Sequence, residues 1–453
     1  MDFSENYDLL LNYMNVNFEK KKLQHVFNKK SPLFPFKMDK GRTVFDKGFY
    51  NVFGEFSRIL LYKRMKNNLS LEGIIHDVTK NDIEIEDGNE EYLYKLLREY
   101  LFNEKNELKL LHPYLYLYIP LSSGKRSSGE KELALFLRDI FCLDNQNLVD
   151  FFKSNESNHI IINLILDNAP DLEDYKTEIK YSSKLDYINQ VFTDDINFAI
   201  KNNQFFLDNM DNIFAYYYFF YISQLILKIS KRLNYDEDVE ELFYLLDWEN
   251  ASKNRKTLNY GYRFLKNETD NALAKVNLIF QLNTLLGTEF YLENELQDYF
   301  NNLDYDNQND CLKFLKKWIC DYRSIRGLDE IYLPNNYNKL VDILLETLNE
   351  SLQRKQISLF TLNLEEIAKP YFLKRRGSYG YVLNINRDML LMLTALCVKD
   401  NKIKLNQLFK EYEKRGIFLD KYSKIEVVDF LTKLNLIDKK SDSGDAQYVK
   451  PVL

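Results

Sequence analysis

This 453-residue chain is poor in the residues that interrupt helices and in those that bind metals. It has only 14 glycines and 8 prolines, and few helix breakers together with many amphipathic runs predict a mainly α protein. Its four cysteines and four histidines lack the paired spacing of zinc ligands. We therefore predict no metal centre and no cofactor, and we expect the cysteines to be core thiols in a reducing cytosol.

Long uninterrupted hydrophobic segments are also missing. The N-terminal residues are acidic and lack the hydrophobic region of a signal peptide. The most apolar run, Ile213 to Ile229, contains Ser223, Gln224 and Lys228, so it falls short of the ~18 uninterrupted apolar residues that indicate a membrane span. We expect a buried helix there, in a soluble cytoplasmic protein.

Charge is distributed unevenly along the chain. Between Tyr371 and Leu453 there are 16 Lys and Arg residues against 10 Asp and Glu residues, a net charge of +6. The whole chain has 61 basic and 68 acidic residues, so residues 1–370 hold 45 and 58, a net charge of −13. A basic end on an acidic protein indicates a polyanionic ligand, and nucleic acid is the commonest cellular polyanion.

The same basic segment has the pattern of a winged helix-turn-helix domain. Apolar residues recur at helical spacing in three runs between residues 389 and 434. Asn386 and Asp420 are placed to cap the first and third helices, and Gly416 is placed to end the second. Residues 436–452 then predict a β-hairpin. Three helices followed by a β-ribbon is the winged-helix order.

In helix-turn-helix proteins the last helix enters the major groove and its first residues meet bases and phosphates. The predicted DNA contacts lie before the first helix, at the start of the third and beside the wing: Lys374, Arg375, Arg376, Lys421, Tyr422, Lys424, Lys439 and Lys440. Tyr379 and Tyr381 are placed to pack on sugar or base faces. Acids in the same segment fit the alternative, a protein-binding module: Glu426, Asp429, Asp442 and Asp445.

The remaining chain predicts a multi-helical body that begins with a helix over residues 1–30. We divide the sequence into an N-terminal helical region, a central helical domain and the winged helix, at residues 1–125, 126–370 and 371–453. The polar loop Leu121–Gly129 supplies the first boundary, and Ile160–Leu166 is an apolar, β-prone exception. The loop resembles a phosphate-binding loop in its glycine spacing, but Glu130 occupies the position of the essential lysine, so we predict no nucleotide site.

A second segment suggests catalysis. Asp171, Glu178 and Lys180 are the residue types of a PD-(D/E)xK nuclease, in which two carboxylates hold Mg²⁺ and a lysine activates water. Only six residues separate the two carboxylates, and the sequence between them is that of a charged helix or loop. A solvated charged stretch is therefore the favoured interpretation, and a Mg²⁺-dependent nuclease stays as the alternative.

The C-terminal residues resemble a known family. Tyr412–Lys421 and above all Lys440–Val449 are similar to the ending of the DptG family of DNA phosphorothioation-dependent restriction proteins. Leu246–Glu249 and the aromatic run Tyr217–Leu227 fit the family less specifically. The firm part of the resemblance covers about the last 80 residues, and it supplies no catalytic residues to transfer to this chain.

The resemblance implies a role in antiviral defence. DptG belongs to a three-component module that attacks DNA lacking the phosphorothioate mark, with DptF and DptH as the ATPase and helicase-like subunits. We therefore expect a non-catalytic adaptor that contacts double-stranded DNA and binds DptF-like and DptH-like subunits, without a membrane. Two alternatives stay open, namely the nuclease centred on Asp171 and a scaffold whose winged helix binds only protein.

Overall fold

Helices dominate the architecture. The structure is a computed structural model, 64% helical and 7% strand, so the prediction of a mainly α protein is confirmed. It describes residues 2–25, 33–36, 45, 48–66, 73, 76–78, 89–104, 108–109, 111–143, 145–154, 157, 159–234, 238–439 and 447–453.

The chain forms two compact units. The larger unit comprises residues 1–40 together with 219–453, and the smaller unit comprises residues 41–218. This division differs from the one that we predicted, since neither 125 nor 370 separates the units. The C-terminal segment belongs to the larger unit.

The first helix, α1 (Phe3–Tyr13), is shorter than the sequence predicted. Asp2 caps it, with its carboxylate accepting hydrogen bonds from the backbone N–H groups of Ser4 and Glu5 at 2.9 and 3.0 Å. Beyond the helix, Asn15 has a positive φ of 46° and Asn17 pairs with Lys22 in an isolated bridge. The expected helix over residues 1–30 is therefore wrong for residues 14–25, because the chain turns at Asn15; residues 26–30 lie outside the described residues.

The smaller unit packs short helices around an aromatic core. The ring of Phe214 makes edge-to-face contacts with Phe53 and Phe56, at centroid distances of 5.3 and 5.1 Å, an arrangement that stabilises beyond area burial alone. Its helices are α2 (Tyr50–Leu60), α3 (Glu90–Leu101), a 3₁₀ helix (Pro113–Tyr118), α4 (Arg126–Phe141), α5 (Gln146–Lys153), α6 (Ile160–Asp167) and α7 (Asp186–Ile200). The strands β1 (Lys63–Met65) and β2 (Leu172–Asp174) pair antiparallel.

Two expectations for this unit are wrong. The β-prone run Ile160–Leu166 forms the helix α6, which buries Ile162, Ile165 and Leu166 on one side; burial at helical spacing overrides β-propensity there. The loop predicted to extend to Gly129 ends earlier, because α4 begins at Arg126.

One long helix, α8 (Asn203–Lys231), begins in the smaller unit and ends in the larger one. Among the described residues, the helical stretch Asn203–Asn234 is the one that is long and apolar enough to cross a membrane, but 94% of its most apolar window is buried inside the protein. Such burial is typical of a core helix in a soluble protein, which is what the run Ile213–Ile229 predicted.

The larger unit contains the longer helices. The rings of Tyr7 and Trp318 meet edge to face at 6.4 Å, so α1 packs into a core that the central helices build. Those helices are α9 (Lys256–Tyr260), α10 (Tyr262–Leu286), α11 (Glu293–Asn301), α12 (Tyr305–Arg326), α13 (Tyr337–Ser351) and α14 (Arg354–Tyr371). Three cysteines are buried as predicted, but Cys320 is exposed, so the expected core position is wrong for that thiol.

A mixed sheet connects the centre of the chain to the C-terminal segment. Strand β3 (Leu245–Leu246) runs parallel to β5 (Tyr381–Ile385), which pairs antiparallel with β4 (Leu373–Arg375). Phe243 and Phe418 form a further parallel bridge. Residues 371–453 therefore share backbone hydrogen bonds with residues 242–247, which explains why they are part of the larger unit.

The C-terminal elements occur in the order helix, strand, helix, helix, strand, strand. They are α15 (Arg387–Val398), β6 (Ile403–Lys404), α16 (Leu405–Lys414), α17 (Lys421–Lys433), β7 (Ile437–Lys439) and β8 (Gln447–Val449), with the sheet order β6-β8-β7. The predicted caps are confirmed, since Asn386 and Asp420 accept hydrogen bonds from the N–H groups of the helices that they precede. This order is compatible with a winged helix, which stays a prediction; the expected wing tip at 442–445 lies outside the described residues.

Gly416, between α16 and α17, supplies a test of packing in this segment. Its φ is +76°, and a Cβ atom there would lie 2.3 Å from the Cε2 atom of Phe220. We predict that Gly416→Ala lowers the free energy of unfolding by about 1–3 kcal/mol more than Gly327→Ala does. Gly327 has a similar φ of +69° with open space around it, so it reports the backbone strain alone. Urea denaturation of both variants measures the difference, and equal losses would contradict the predicted clash.

Candidate nucleic-acid interface

The start of α17 combines exposed and buried side chains. Asp420 caps the helix, with its Oδ1 atom accepting from the N–H groups of Tyr422 and Ser423 at 3.0 and 3.1 Å. Lys421 and Tyr422 are exposed, Lys424 is half-buried and Ser423 is fully buried. Of the predicted contacts on this helix, Lys421 and Tyr422 therefore reach solvent most directly.

A buried ionic cluster holds this helix start in place. The Arg255 guanidinium donates to both carboxylate oxygens of Asp420, at 2.6 and 2.9 Å, and to Glu249 at 2.9 Å. It also donates to the Ser423 hydroxyl at 2.8 Å, and that hydroxyl donates to Glu249 at 2.8 Å. The charged members are each less than a tenth exposed, so each charge depends on its partners inside the protein.

The electrostatics of Asp420 follow from this arrangement. Burial alone would raise the pKa of its carboxyl group, but the bonds from Arg255 and from the N–H groups of Ser423 and Tyr422 outweigh burial and lower the pKa below its usual value. The carboxylate therefore stays ionised, and it attracts the positive end of the helix dipole.

The segment around Trp248 covers one side of α17. The indole N–H of Trp248 donates to Glu426 at 3.0 Å, and its ring lies 5.1 Å from that of Phe430. The Arg387 guanidinium lies 5.5 Å from the Trp248 ring on the other side. This segment, which the sequence analysis compared with the DptG family, thus works as a structural support for the helix.

Two of the predicted DNA contacts are engaged with other residues of the protein. The Lys374 ammonium forms an ion pair with Asp247, and its proximity lowers the pKa of that carboxyl group. Arg376 donates to the backbone oxygens of Leu246 and Asp247 and to the Asn384 side chain, at 3.0–3.1 Å. Both cations therefore stabilise the sheet.

The acids of α16, α17 and the turn between them are all engaged within the protein. Each has a partner among the described residues: Glu411 with Arg415, Glu413 with Lys424, Asp420 with Arg255, Glu426 with Trp248 and Asp429 with Lys433. Lys424, a predicted DNA contact, is therefore partly neutralised by Glu413 at 2.9 Å.

Three lysines of the same region are exposed and make no ion pair with any described residue: Lys410, Lys414 and Lys421. Of these, only Lys421 is among the DNA contacts predicted from the sequence. Lys410 and Lys414 are one helical turn apart on α16 and face the same side, a spacing that could have identified them. With four of the five acids paired with cations, these lysines give the surface a positive character.

The remaining predicted DNA contacts are Arg375 and the two lysines of the wing, Lys439 and Lys440. Arg375 is exposed at the end of β4, and no ion pair connects it to the part of the chain that the structure describes. Lys439 ends β7, but its side chain and the whole of Lys440 lie outside the described residues, so their contribution stays a prediction.

Two of the three residues of the nuclease alternative contact other parts of the protein, Lys180 through its side chain and Glu178 through its backbone. Lys180 forms an ion pair with Glu132 at 2.5 Å, the backbone oxygen of Glu178 accepts from Arg138 at 3.0 Å, and the exposed Asp171 precedes β2. Across the described ranges, no group of three or more His, Cys, Asp or Glu side chains is arranged to hold a metal ion. The structure therefore adds no support for a nuclease centre.

The glycine-containing loop before α4 has a structural role at Glu130. Its carboxylate accepts from the backbone N–H of Ser122 at 2.7 Å and from the Ser122 hydroxyl at 2.5 Å. A carboxylate held there would repel a phosphate, in agreement with the prediction against nucleotide binding in this loop.

A cleft of about 1040 Å³ lies in the smaller unit, away from the predicted residues. It is lined by amide, acidic, basic and aromatic side chains, among them Asn147, Asp150, Phe151, Asn197, Lys201 and Gln204. None of the predicted DNA contacts and none of the three nuclease candidates belongs to its lining.

Comparison with known proteins gives no match: no protein-family model and no curated protein is similar to this chain. The resemblance to the DptG family therefore stays a prediction from the C-terminal residues.

The Arg255 cluster predicts a large effect on stability. Arg255→Ala leaves two buried carboxylates without their cation, so we expect it to lower the free energy of unfolding by about 3–5 kcal/mol. Lys433→Ala, which breaks the exposed pair with Asp429, is the matched control, with an expected loss below about 0.5 kcal/mol. Chemical denaturation measures both, and similar losses would show that the cluster has no special role.

Glu365 on α14 predicts a dependence of stability on pH. Burial would raise its pKa, but hydrogen bonds from Tyr262, Lys266 and Lys369 lower it to about 2. Because the folded pKa is below that of the unfolded chain, near ~4.3, the stabilisation is present above that pH and disappears as the pH falls toward 2. Glu365→Gln should therefore cost roughly 2 kcal/mol at neutral pH and much less at the acidic end. A loss that does not change with pH in denaturation curves would contradict this assignment.

Proposed function

We propose that this chain is a non-catalytic, DNA-contacting adaptor subunit of a phosphorothioation-dependent restriction complex. In this proposal the lysines of α16 and α17 contact the phosphates of double-stranded DNA. DptF-like and DptH-like subunits supply ATP hydrolysis and strand separation, and the complex acts in the cytoplasm. The assignment to this complex depends on the C-terminal resemblance to the DptG family.

One observation carries the DNA contact. On α16, α17 and the turn between them, each of the five acids is held by a partner inside the protein, whereas Lys410, Lys414 and Lys421 are exposed without an ion pair in the described chain. Four of the five acids have a cationic partner, whereas these three lysines have none, so the surface attracts polyanions. Lysines of this kind bind through phosphate neutralisation and the release of counterions.

The rigidity of the helix start adds support. Lys421 follows Asp420, which is fixed by the Arg255 cluster, so the first turn of α17 has a defined position before any ligand binds. Binding elements that are preorganised lose less entropy on association. In a helix-turn-helix protein this turn is the part that meets the DNA.

The test is fluorescence anisotropy of the full chain on a labelled duplex across a salt series. The full chain is needed because β3 and Arg255 lie outside residues 371–453 and support them. We expect the triple variant Lys410→Gln, Lys414→Gln, Lys421→Gln to bind more weakly. The slope of log K against log salt should fall by about 0.9 for each contact removed, roughly 2–3 in total.

A second triple variant controls for the change in net charge. Lys63, Lys95 and Lys180 each form an ion pair in the smaller unit, so replacing them with Gln changes the net charge equally without removing the proposed contacts. We expect that variant to keep the slope of the unaltered chain. Equal losses in the two variants, or no duplex binding at low salt, would reject the proposal in favour of a protein-binding scaffold.

The same titration with a phosphorothioated duplex addresses recognition of the mark. If this surface reads the backbone substitution, the unmodified duplex binds more tightly than the modified one. Equal affinities would assign recognition of the mark to the partner subunits, while the duplex contact itself would stand.

A further inference from the structure

The hairpin formed by β4 and β5 presents two tyrosines to solvent. Tyr379 and Tyr381 are 39% and 42% exposed. The Tyr379 ring has no ring or hydrogen-bond partner in the described part of the chain. The Tyr381 ring meets only the edge of Tyr262, at 6.3 Å and 83°, which leaves much of its surface free.

The pairing register places a cation beside these rings. Arg375 is the direct cross-strand partner of Tyr381, so the two side chains project from the same face of the hairpin with their Cβ atoms about 5 Å apart. Lys374 lies on the opposite face and forms an ion pair with Asp247. The tip thus exposes a guanidinium and two phenol rings.

The tip is rigid. Arg376 donates its backbone N–H to the Gly380 oxygen at 2.7 Å, and Tyr379 donates its N–H to the Arg376 oxygen at 3.0 Å. Gly377 and Gly380 have φ values of +53° and +73°, where a side chain would be strained. The Arg376 side chain donates hydrogen bonds to the backbone oxygens of Leu246 and Asp247, which connect the tip to the end of β3. The backbone that carries the two tyrosines therefore has a defined conformation.

The hairpin also has one sign of charge. The sequence Leu373–Ile385 contains three cations and no acid, and its exposed side chains include no aliphatic residue. Two exposed aromatic rings on this hairpin, beside an arginine without an ion pair in the described chain, suit bases that are unstacked and a backbone that is anionic. Single-stranded nucleic acid is recognised in this way, through stacking on aromatic rings and contact of cations with phosphates.

We propose that the β4–β5 hairpin binds single-stranded nucleic acid, with the rings of Tyr379 and Tyr381 stacking on bases and Arg375 contacting the backbone. This is a second binding surface, separate from the duplex contact of α16 and α17. It does not depend on the assignment to a restriction complex.

The experiment measures binding of the full chain to fluorescein-labelled oligo(dT) by anisotropy. The double variant Tyr379→Ala, Tyr381→Ala should lose affinity at least about ten-fold, given the contribution of each stacked base. The corresponding double Phe variant should bind nearly as the unaltered chain does, because it keeps both rings. Tyr379→Ala alone should show part of the loss, and it removes no hydrogen bond or ring contact among the described residues.

Two comparisons make the result specific. Tyr305→Ala with Tyr332→Ala removes two tyrosines of the same unit that are 78% and 86% exposed, and it should leave oligo(dT) binding unchanged. The Lys410, Lys414, Lys421 triple variant should affect duplex more than oligo(dT), so failure of one proposal is distinguishable from failure of the other. Unchanged affinity in the double Ala variant, or an equal loss in the Phe variant or the Tyr305 and Tyr332 control, would overturn the single-strand proposal and favour a protein contact at the tip.

Discussion

The buried guanidinium of Arg255 is the interaction on which the arrangement of the C-terminal segment depends. It forms ion pairs with Glu249, in the centre of the chain, and with Asp420, the cap of α17. In this buried position neither the guanidinium nor the carboxylates would be stable without the opposite charge. The strand pairing of β3 with β5 and the contact of Trp248 with Glu426 act beside it. Together they make the basic C-terminal residues part of a larger unit whose core is supplied by distant residues.

This integration changes how the positive charge should be interpreted. The net charge of +6 in residues 371–453 suggests a uniformly basic domain, but several of its cations form ion pairs or hydrogen bonds within the protein. Lys374 and Arg376 stabilise the sheet around Asp247, and Lys424 neutralises Glu413. A few exposed cations therefore determine where a polyanion is attracted, and their position matters more than the total.

The two surfaces that we propose differ in physical character. The lysines of α16 and α17 offer charge on flexible side chains, which suits a regular phosphate backbone and makes binding sensitive to salt. The hairpin offers two exposed rings next to one arginine, which suits unstacked bases. The two proposed surfaces would let one chain contact both duplex and unpaired nucleic acid.

The sequence alone determined the mainly helical fold, the caps at Asn386 and Asp420, the turn at Gly416 and the buried helix around Ile213–Ile229, because each depends on local periodicity or on the chemistry of one residue. It failed at Ile160–Leu166, where packing overrides intrinsic propensity. It also could not identify which cations have an ion-pair partner. Lys374 pairs with Asp247, 127 residues away in the sequence, and Arg255 pairs with Asp420, 165 residues away. Only the tertiary structure decided those pairings, because electrostatic attraction depends on distance in space and not on separation along the chain.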